Sequence, residues 1–275
     1  MKIGLFLHRY FPFGGQQRDF LGVAQTLIDC GHVPEIFVME KTDPIPLPSD
    51  VSVHRVRCKA WTNAGQAKEF SQKASSLADR LEVNVRLGFV KMQGLDYYFC
   101  ADPCLKAKVS SWKVLLPRYH TYLQLEAATF QRDGTTRYFA LADEQVEAYA
   151  KCYGIDRQRF EVLLPNLHPS LQNGSSERDP GVRVLFVGSD FRRKGLDRLL
   201  TACASVDVRQ CDIQPEIIIV GKGEVPPELR QRCEKSGWKV CAVGPQLDVR
   251  PFYTTSSVLI HPARSEPGGL VLLEA

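Results

Sequence analysis

Short apolar runs alternate with amphipathic stretches along the chain. Ile3–Leu7 is apolar almost throughout. From Gln16 to Cys30, Phe20, Leu21, Val23, Ala24, Leu27 and Ile28 recur at helical spacing on one face, and Gly31 is placed to close that helix. Ile36–Met39 and Val51–Val56 read as strands, Gln66–Leu81 as a helix, then Val83–Val90 and Tyr97–Cys100 as strands. Tyr138–Leu141 is a strand followed by a helix from Asp143 to Cys152, with Asp143 as its expected N-cap. Phe160–Leu164 is another strand, stopped by Pro165. The stretch between Asn166 and Gly181 is rich in Ser, Asn, Gly and Pro and has no period. After it, Val182–Val187, Glu216–Val220 and Lys239–Val243 each run into glycine, and Val258–Ile260 runs into His-Pro.

Near-continuous apolar strands separated by helical stretches predict parallel sheets covered on both faces. The reading is therefore an α/β chain of two Rossmann-like domains, residues 1–166 and 182–275, joined by a linker over 167–181. In such sheets ligands bind outside the carboxyl ends of the strands. The loops expected there in the second domain are Gly188–Gly195, Gly221–Glu224, Gly244–Gln246 and the one containing Glu266.

The last of these is the most informative. A strand leads into Arg264-Ser265-Glu266-Pro267-Gly268-Gly269, and an apolar run ending in Glu274 follows. A strand–loop–helix unit gathers backbone N–H groups and a helix N-terminus, which suits an anion such as a diphosphate. Glu266 can accept hydrogen bonds from hydroxyls beside that anion. Glu274, about two turns further on, can reach a second pair. Together they describe a sugar nucleotide.

Composition narrows the class. The chain is 44% hydrophobic and 24% charged, as a soluble globular protein is, and its net charge of +4 does not call for nucleic acid. The apolar run at the N-terminus is too short for a signal sequence, and no stretch approaches the roughly 18 apolar residues of a membrane span. The cysteines are scattered and form no Cys-x-x-Cys, so reduced, mostly buried thiols are expected.

Other segments carry possible chemistry. The loop His8–Asp19 has paired glycines, Gly14 and Gly15, before a helix, which suits close approach of a phosphate or sugar. It is not the dinucleotide fingerprint. Arg192-Arg193-Lys194-Gly195 can neutralise a leaving diphosphate. Asp102 follows a strand end, where a carboxylate can act as a base or orient a hydroxyl. From Pro103 to Tyr122 there is no acid, and Lys106, Lys108, Lys113 and Arg118 interleave with Trp112, Leu115, Leu116, Tyr119 and Tyr122. That pattern suits an anionic lipid surface, with a partly buried helix showing a solvated basic face as the plainer reading. No Asp-x-Asp, His-Glu-x-x-His, Gly-x-Ser-x-Gly or Walker sequence occurs, so no metal and no cofactor is expected.

Taken together, these residues resemble the family 4 retaining glycosyltransferases of GT-B fold, and within them the lipopolysaccharide core glucosyltransferases. The matching segments are Tyr10–Gly15 with Gln17–Phe20, Lys91–Asp96, Ala101-Asp102, Val187–Phe191 with Arg193–Gly195, His261–Ala263, and the pair Glu266 and Glu274. The resemblance implies transfer of glucose from UDP-glucose to the lipopolysaccharide inner core, on a lipid-linked acceptor at the cytoplasmic face of the inner membrane. It gives Glu266 the donor sugar, Glu274 the ribose, and Arg193 and Lys194 the diphosphate, helped by the amides of Gly268, Gly269 and Leu270. Gly14 and Gly15 would serve the phosphates, and Asp19 and Asp102 the acceptor or reacting sugar. Two departures stand out. Ser189 follows Gly188 where many members have Arg, and the family continues well past Glu274, so the second domain is expected to be incomplete. A non-catalytic sugar-nucleotide or lipid-surface module, or an epimerase acting on sugar nucleotides, shares many of these features.

Overall fold

The computed structural model describes residues 1–275 apart from 13, 49, 50, 164–180, 211, 213, 265, 267 and 268. Nearly all of the expected linker lies outside the described residues. The chain divides into two compact units, Met1–Leu164 and Pro165–Ala275.

The first unit is built on seven strands: β1 (Lys2–Phe6), β2 (Val33–Met39), β3 (Ser52–Val56), β4 (Val85–Gly88), β5 (Tyr97–Cys100), β6 (Arg137–Ala140) and β7 (Phe160–Val162). They lie in the order β3-β2-β1-β4-β5-β6-β7, and every pairing is parallel. Helices α1 (Gly15–Asp29), α2 (Asn63–Arg80), α3 (Leu105–Lys108), α4 (Pro117–Thr129) and α5 (Asp143–Tyr153) provide the crossovers and cover. Consecutive strand residues such as Leu5, Phe6 and Leu7, or Ile36, Phe37 and Val38, are all buried. Both faces of the sheet are therefore covered, which is why these strands read as unbroken apolar runs. The strand order reverses between β1 and β4, paired from Ile3↔Val85 to Phe6↔Gly88, and leaves a crevice at their carboxyl ends.

The second unit repeats the plan with four parallel strands, β8 (Arg183–Val187), β9 (Glu216–Val220), β10 (Lys239–Gly244) and β11 (Val258–Leu259), ordered β10-β9-β8-β11. Its helices are α6 (Phe191–Lys194), α7 (Leu196–Ala204), α8 (Pro227–Lys235), α9 (Arg250–Thr255) and α10 (Leu270–Glu274). Val184 and Phe186 pack against α7 and α8 residues on one face. Leu185 and Val187 pack with Phe252 and Tyr253 on the other. The reversal here falls between β8 and β11, so the Gly188 and Glu266 loops flank it.

Three local expectations change. The helix expected from Gln66 starts at Asn63, because the Thr62 hydroxyl accepts from Gly65 N at 3.0 Å. Asp143 is not an N-cap: Ala142 holds that position, and Asp143 is the first helical residue, where its charge favours the helix N-terminus. The basic stretch from Pro103 to Tyr122 is not one helix. It comprises α3, a 3-10 turn over Ser111–Leu115, and α4. Leu116 is extended, as a residue before proline is held, and Pro117 then opens α4 where no N–H is needed. Of the eight described cysteines, all free, Cys100, Cys104, Cys203 and Cys233 are buried and Cys30 is exposed.

Candidate active site

In the first unit a cavity of about 640 Å³ opens at the crevice between β1 and β4. Its lining includes His8 and Arg9 after β1, Val90 and Lys91 after β4, Asp102 and Pro103 after β5, and Gln16 and Gln17 from α1. Asp102 is thus part of the cavity wall, whereas Asp19 is not. The Asp102 loop is pinned by Tyr149, whose hydroxyl donates to the Asp102 carbonyl at 3.0 Å. Gly14 caps α1, and a Cβ there would fall 2.2 Å from Gln17 Oε1 and 3.0 Å from the Phe11 ring. Gln16 donates to the Phe89 carbonyl, which ties the glycine loop to β4. His8 packs edge-on against Phe70 at 5.3 Å, and its Nε2 is sealed without a partner among the described residues. Burial, aided by Arg9, lowers its pKa to about 4 and keeps the ring neutral near pH 7.

One wall of this cavity rests on a group that sequence reasoning missed. Glu126 in α4 is fully buried. It accepts from Lys91 Nζ at 2.5 Å, from the Leu105 and Lys106 amides at 2.8 and 2.9 Å, and from the Tyr153 hydroxyl at 2.7 Å. Burial pushes this carboxyl up, but Lys91 and the two amides outweigh it, so the pKa is lowered. Nothing local marks Glu126, because its partners come from three separate parts of the chain.

In the second unit Lys194 and Glu266 form an ion pair with both side chains largely buried. His261 Nε2 lies 3.0 Å from the same Glu266 oxygen, and the His261 side chain is almost wholly enclosed. Burial raises the Glu266 carboxyl, yet Lys194 first and His261 second bring it below its usual range. Glu266 is therefore a carboxylate acceptor at neutral pH. Arg193 is half-exposed beside Asp190, which also caps α6. Glu274 accepts from the Tyr253 hydroxyl at 2.8 Å. Lys194 and Glu266 are thus brought into contact, while Glu274 has its own partner on α9. Tyr253 carried no signal in the sequence. Gly269 precedes α10 with φ +55°, Leu270 is its first residue, and Gly268 lies outside the described residues.

The floor of this site needs glycine at two places. Gly221 has φ +138°, and a Cβ on it would lie 1.9 Å from the Gly188 carbonyl oxygen. Gly195 has φ +81°, and a Cβ on it would lie 2.1 Å from the Pro262 carbonyl oxygen. Backbone passes backbone here without a side chain between, which brings the α6 turn against the strand that leads to Glu266.

The basic segment of the first unit exposes Trp112, Leu115 and Leu116. Lys113 sits over the Trp112 ring at 5.4 Å. Lys106 is exposed, and its Nζ donates to the Cys152 carbonyl at 2.8 Å and lies over Tyr153. It serves the end of α5 as well as the surface. Lys108 and Arg118 are exposed. Among the described residues no helix is long and apolar enough to cross a membrane.

Residues 171–275 match the family model described as glycosyl transferases group 1. Along its whole length the chain is 32% identical to the lipopolysaccharide glucosyltransferase WaaG of Escherichia coli K12, and covers 78% of that protein. The crystal structure titled WaaG, a glycosyltransferase involved in lipopolysaccharide biosynthesis, matches 99% of the chain with a TM-score of 0.89 and 31% identity, the match covering 78% of that chain. The lipopolysaccharide outer core galactosyltransferase WaaB shares the fold, with a TM-score of 0.61 at 15% identity over the full chain and 78% of its own. Two parallel-sheet units, the group 1 match over the second of them, and identity to WaaG sustained from end to end place this chain among the group 1 glycosyltransferases of GT-B fold.

Proposed function

We propose that the enzyme is a retaining glycosyltransferase that moves glucose from UDP-glucose onto the inner core of lipopolysaccharide. The observation that carries this is the Lys194–Glu266 pair at the strand-order reversal of the second sheet, where α/β sheets bind ligands. In this reading Lys194 and Arg193 hold the diphosphate and stabilise the charge that builds on it as the glycosidic bond breaks. Glu266 accepts from hydroxyls of the donor sugar, and Glu274 from the ribose. The Gly269 and Leu270 amides, with Gly14 and Gly15, serve the phosphates. Asp102 orients the acceptor at its cavity, with Asp19 assigned to the reacting groups as well. The acceptor attacks from the face the diphosphate leaves, so the chain contributes positioning and leaving-group stabilisation more than acid–base chemistry. No metal or cofactor is assigned a role.

The acceptor is lipid-linked, and the exposed Trp112, Leu115 and Leu116 beside Lys108, Lys113 and Arg118 fit an anionic bilayer. In this reading the enzyme works peripherally at the cytoplasmic face of the inner membrane, and nucleic acid is not among its partners.

Calorimetric titration tests the donor assignment. Lys194→Ala should weaken UDP binding by about tenfold or more, as loss of a charge-assisted contact does, and leave uridine binding nearly unchanged. Equal losses for both ligands would remove Lys194 from the phosphates. Glucose transfer from UDP-glucose to purified acceptor then separates an enzyme from a module that only binds.

A further inference from the structure

The loop that carries Glu266 is clamped to the turn that carries Lys194, and the clamp is made by Arg264. Its guanidinium meets Asp197 two-pronged, with Nη1 to Oδ1 at 2.7 Å and Nη2 to Oδ2 at 2.6 Å. The same Nη1 donates to the Arg192 carbonyl at 2.5 Å. The Arg264 amide donates to the Arg193 carbonyl at 2.9 Å. Just before it in the chain, the Pro262 carbonyl accepts from Arg198 at 3.3 Å and lies against Gly195. One arginine thus bonds to three residues on two consecutive elements of the opposite segment: the α6 backbone at Arg192 and Arg193, and the first turn of α7 at Asp197.

We infer that Arg264 is a positioning residue that presets the separation of Lys194 and Glu266, so that the donor's diphosphate and its sugar are gripped at a fixed spacing. This rests on the donor-site reading proposed above. Three features support it. Arg264 lies two positions before Glu266, and its hydrogen bonds among the described residues go to the Arg192 and Arg193 carbonyls and the Asp197 carboxylate. A planar guanidinium facing a carboxylate fixes orientation as well as distance, which a single-point contact does not. Finally, the two loops come from strands adjacent in the sheet, β8 and β11, but β11 is only two residues long, pairing Val258↔Val184 and Leu259↔Leu185. So short a ladder leaves the path from Ile260 to Glu266 to be fixed by other contacts, and among the described residues Arg264 contributes four of them.

The consequence falls on one part of the ligand. The α6 turn keeps its own supports without Arg264, because Asp190 caps it and Gly195 closes it. The diphosphate grip of Arg193 and Lys194 should therefore survive loss of the clamp. Without the guanidinium, the Glu266 loop keeps, among the described residues, the Arg264 amide, the Arg198–Pro262 bond and the contacts of Glu266 itself with Lys194 and His261, none of which fixes orientation as a fork does, so the sugar grip should weaken.

The test is the ratio of UDP-glucose to UDP affinity, measured calorimetrically on the full 275-residue chain. The variants are Arg264→Ala, Asp197→Ala, their combination, Arg264→Lys, and Glu266→Gln as the control for the donor reading. Arg264→Ala and Asp197→Ala should each lower the ratio by about tenfold, with UDP affinity changed less than about twofold, and the combination should lose little more than either alone. Arg264→Lys keeps the charge but not the fork and should recover only part of the ratio. Fluorescence of the buried Trp238 shows whether the second unit is folded in each variant. An unchanged ratio in folded Arg264→Ala would overturn the inference, as would full recovery of the ratio in Arg264→Lys if the alanine variant does not fold. If Glu266→Gln also leaves the ratio unchanged, the donor-site reading itself fails. If Glu266→Gln lowers it and the Arg264 variants do not, only the positioning role fails.

Discussion

Glu126→Gln is the substitution whose cost the structure specifies most closely. The side chain keeps its shape and loses its charge. Each Glu126 oxygen serves more than one donor: Oε2 takes Lys91 Nζ and the Leu105 amide, and Oε1 takes the Lys106 amide and the Tyr153 hydroxyl. The new NH2 group must replace one oxygen, so two of these donors face another donor whichever way the amide turns. Each orphaned donor costs about 1–3 kcal/mol, and removing one partner of a buried ion pair costs about 3–5 kcal/mol, so the two routes agree on about 3–5 kcal/mol. That is a large part of the ~5–15 kcal/mol that holds a domain folded. The first unit should therefore unfold at much lower urea, while the second is unaffected. Two probes separate them. Trp61 is fully exposed and Trp112 largely so, whereas Trp238 in the second unit is buried. Emission changes on unfolding should therefore follow Trp238, and far-UV circular dichroism should follow both units. The Glu126→Gln variant should show an early dichroism transition with the Trp238 transition in place. The pH dependence has a definite sign. The folded pKa of Glu126 lies below the unfolded value, so its contribution is present at neutral pH and is lost as pH falls through the unfolded and then the folded value. The gap between wild type and Glu126→Gln should accordingly shrink in acid. A loss below about 1 kcal/mol at pH 7, or a gap that widens in acid, would refute the reasoning.

Two further outcomes are expected beyond the UDP and UDP-glucose titrations already described. Gly195→Ala forces a left-handed alanine into the Pro262 carbonyl and should cost the second unit at least about 1–2 kcal/mol, read as an earlier Trp238 transition in urea; an unchanged midpoint would mean that the α6 turn and the Pro262 strand separate easily. Replacing Trp112 by Ala and Lys113 by Ser should reduce sedimentation with phosphatidylglycerol vesicles and its salt sensitivity, by about 1 kcal/mol for the charge alone, with UDP binding intact; unaltered sedimentation would leave this segment as a solvated surface.

The periodic elements and the loops that matter are legible in chain order alone. Residues Ile36–Met39, Tyr97–Cys100 and Ile217–Val220 are apolar without interruption because both sheet faces are covered, and that pattern is local. Gly195 and Lys194, the Glu266–Glu274 spacing and Asp102 after its strand could be read from chain order alone, because α/β loops at strand ends follow directly from strand positions. The tertiary structure decided what depends on strand order. Only the reversals between β1 and β4, and between β8 and β11, show which loops become neighbours, and so join Lys194 to Glu266 across 72 positions of sequence. The same holds for Glu126 with Lys91, for Tyr253 with Glu274, and for Arg264 with Asp197. Each pairs residues of ordinary type whose partners lie far away in the chain, so neither periodicity nor spacing could mark them. The bond from Lys106 to the Cys152 carbonyl was hidden for a related reason. A lysine is drawn to whatever acceptor lies within reach, and the carbonyl of Cys152 comes within reach only once α5 has packed beside α3.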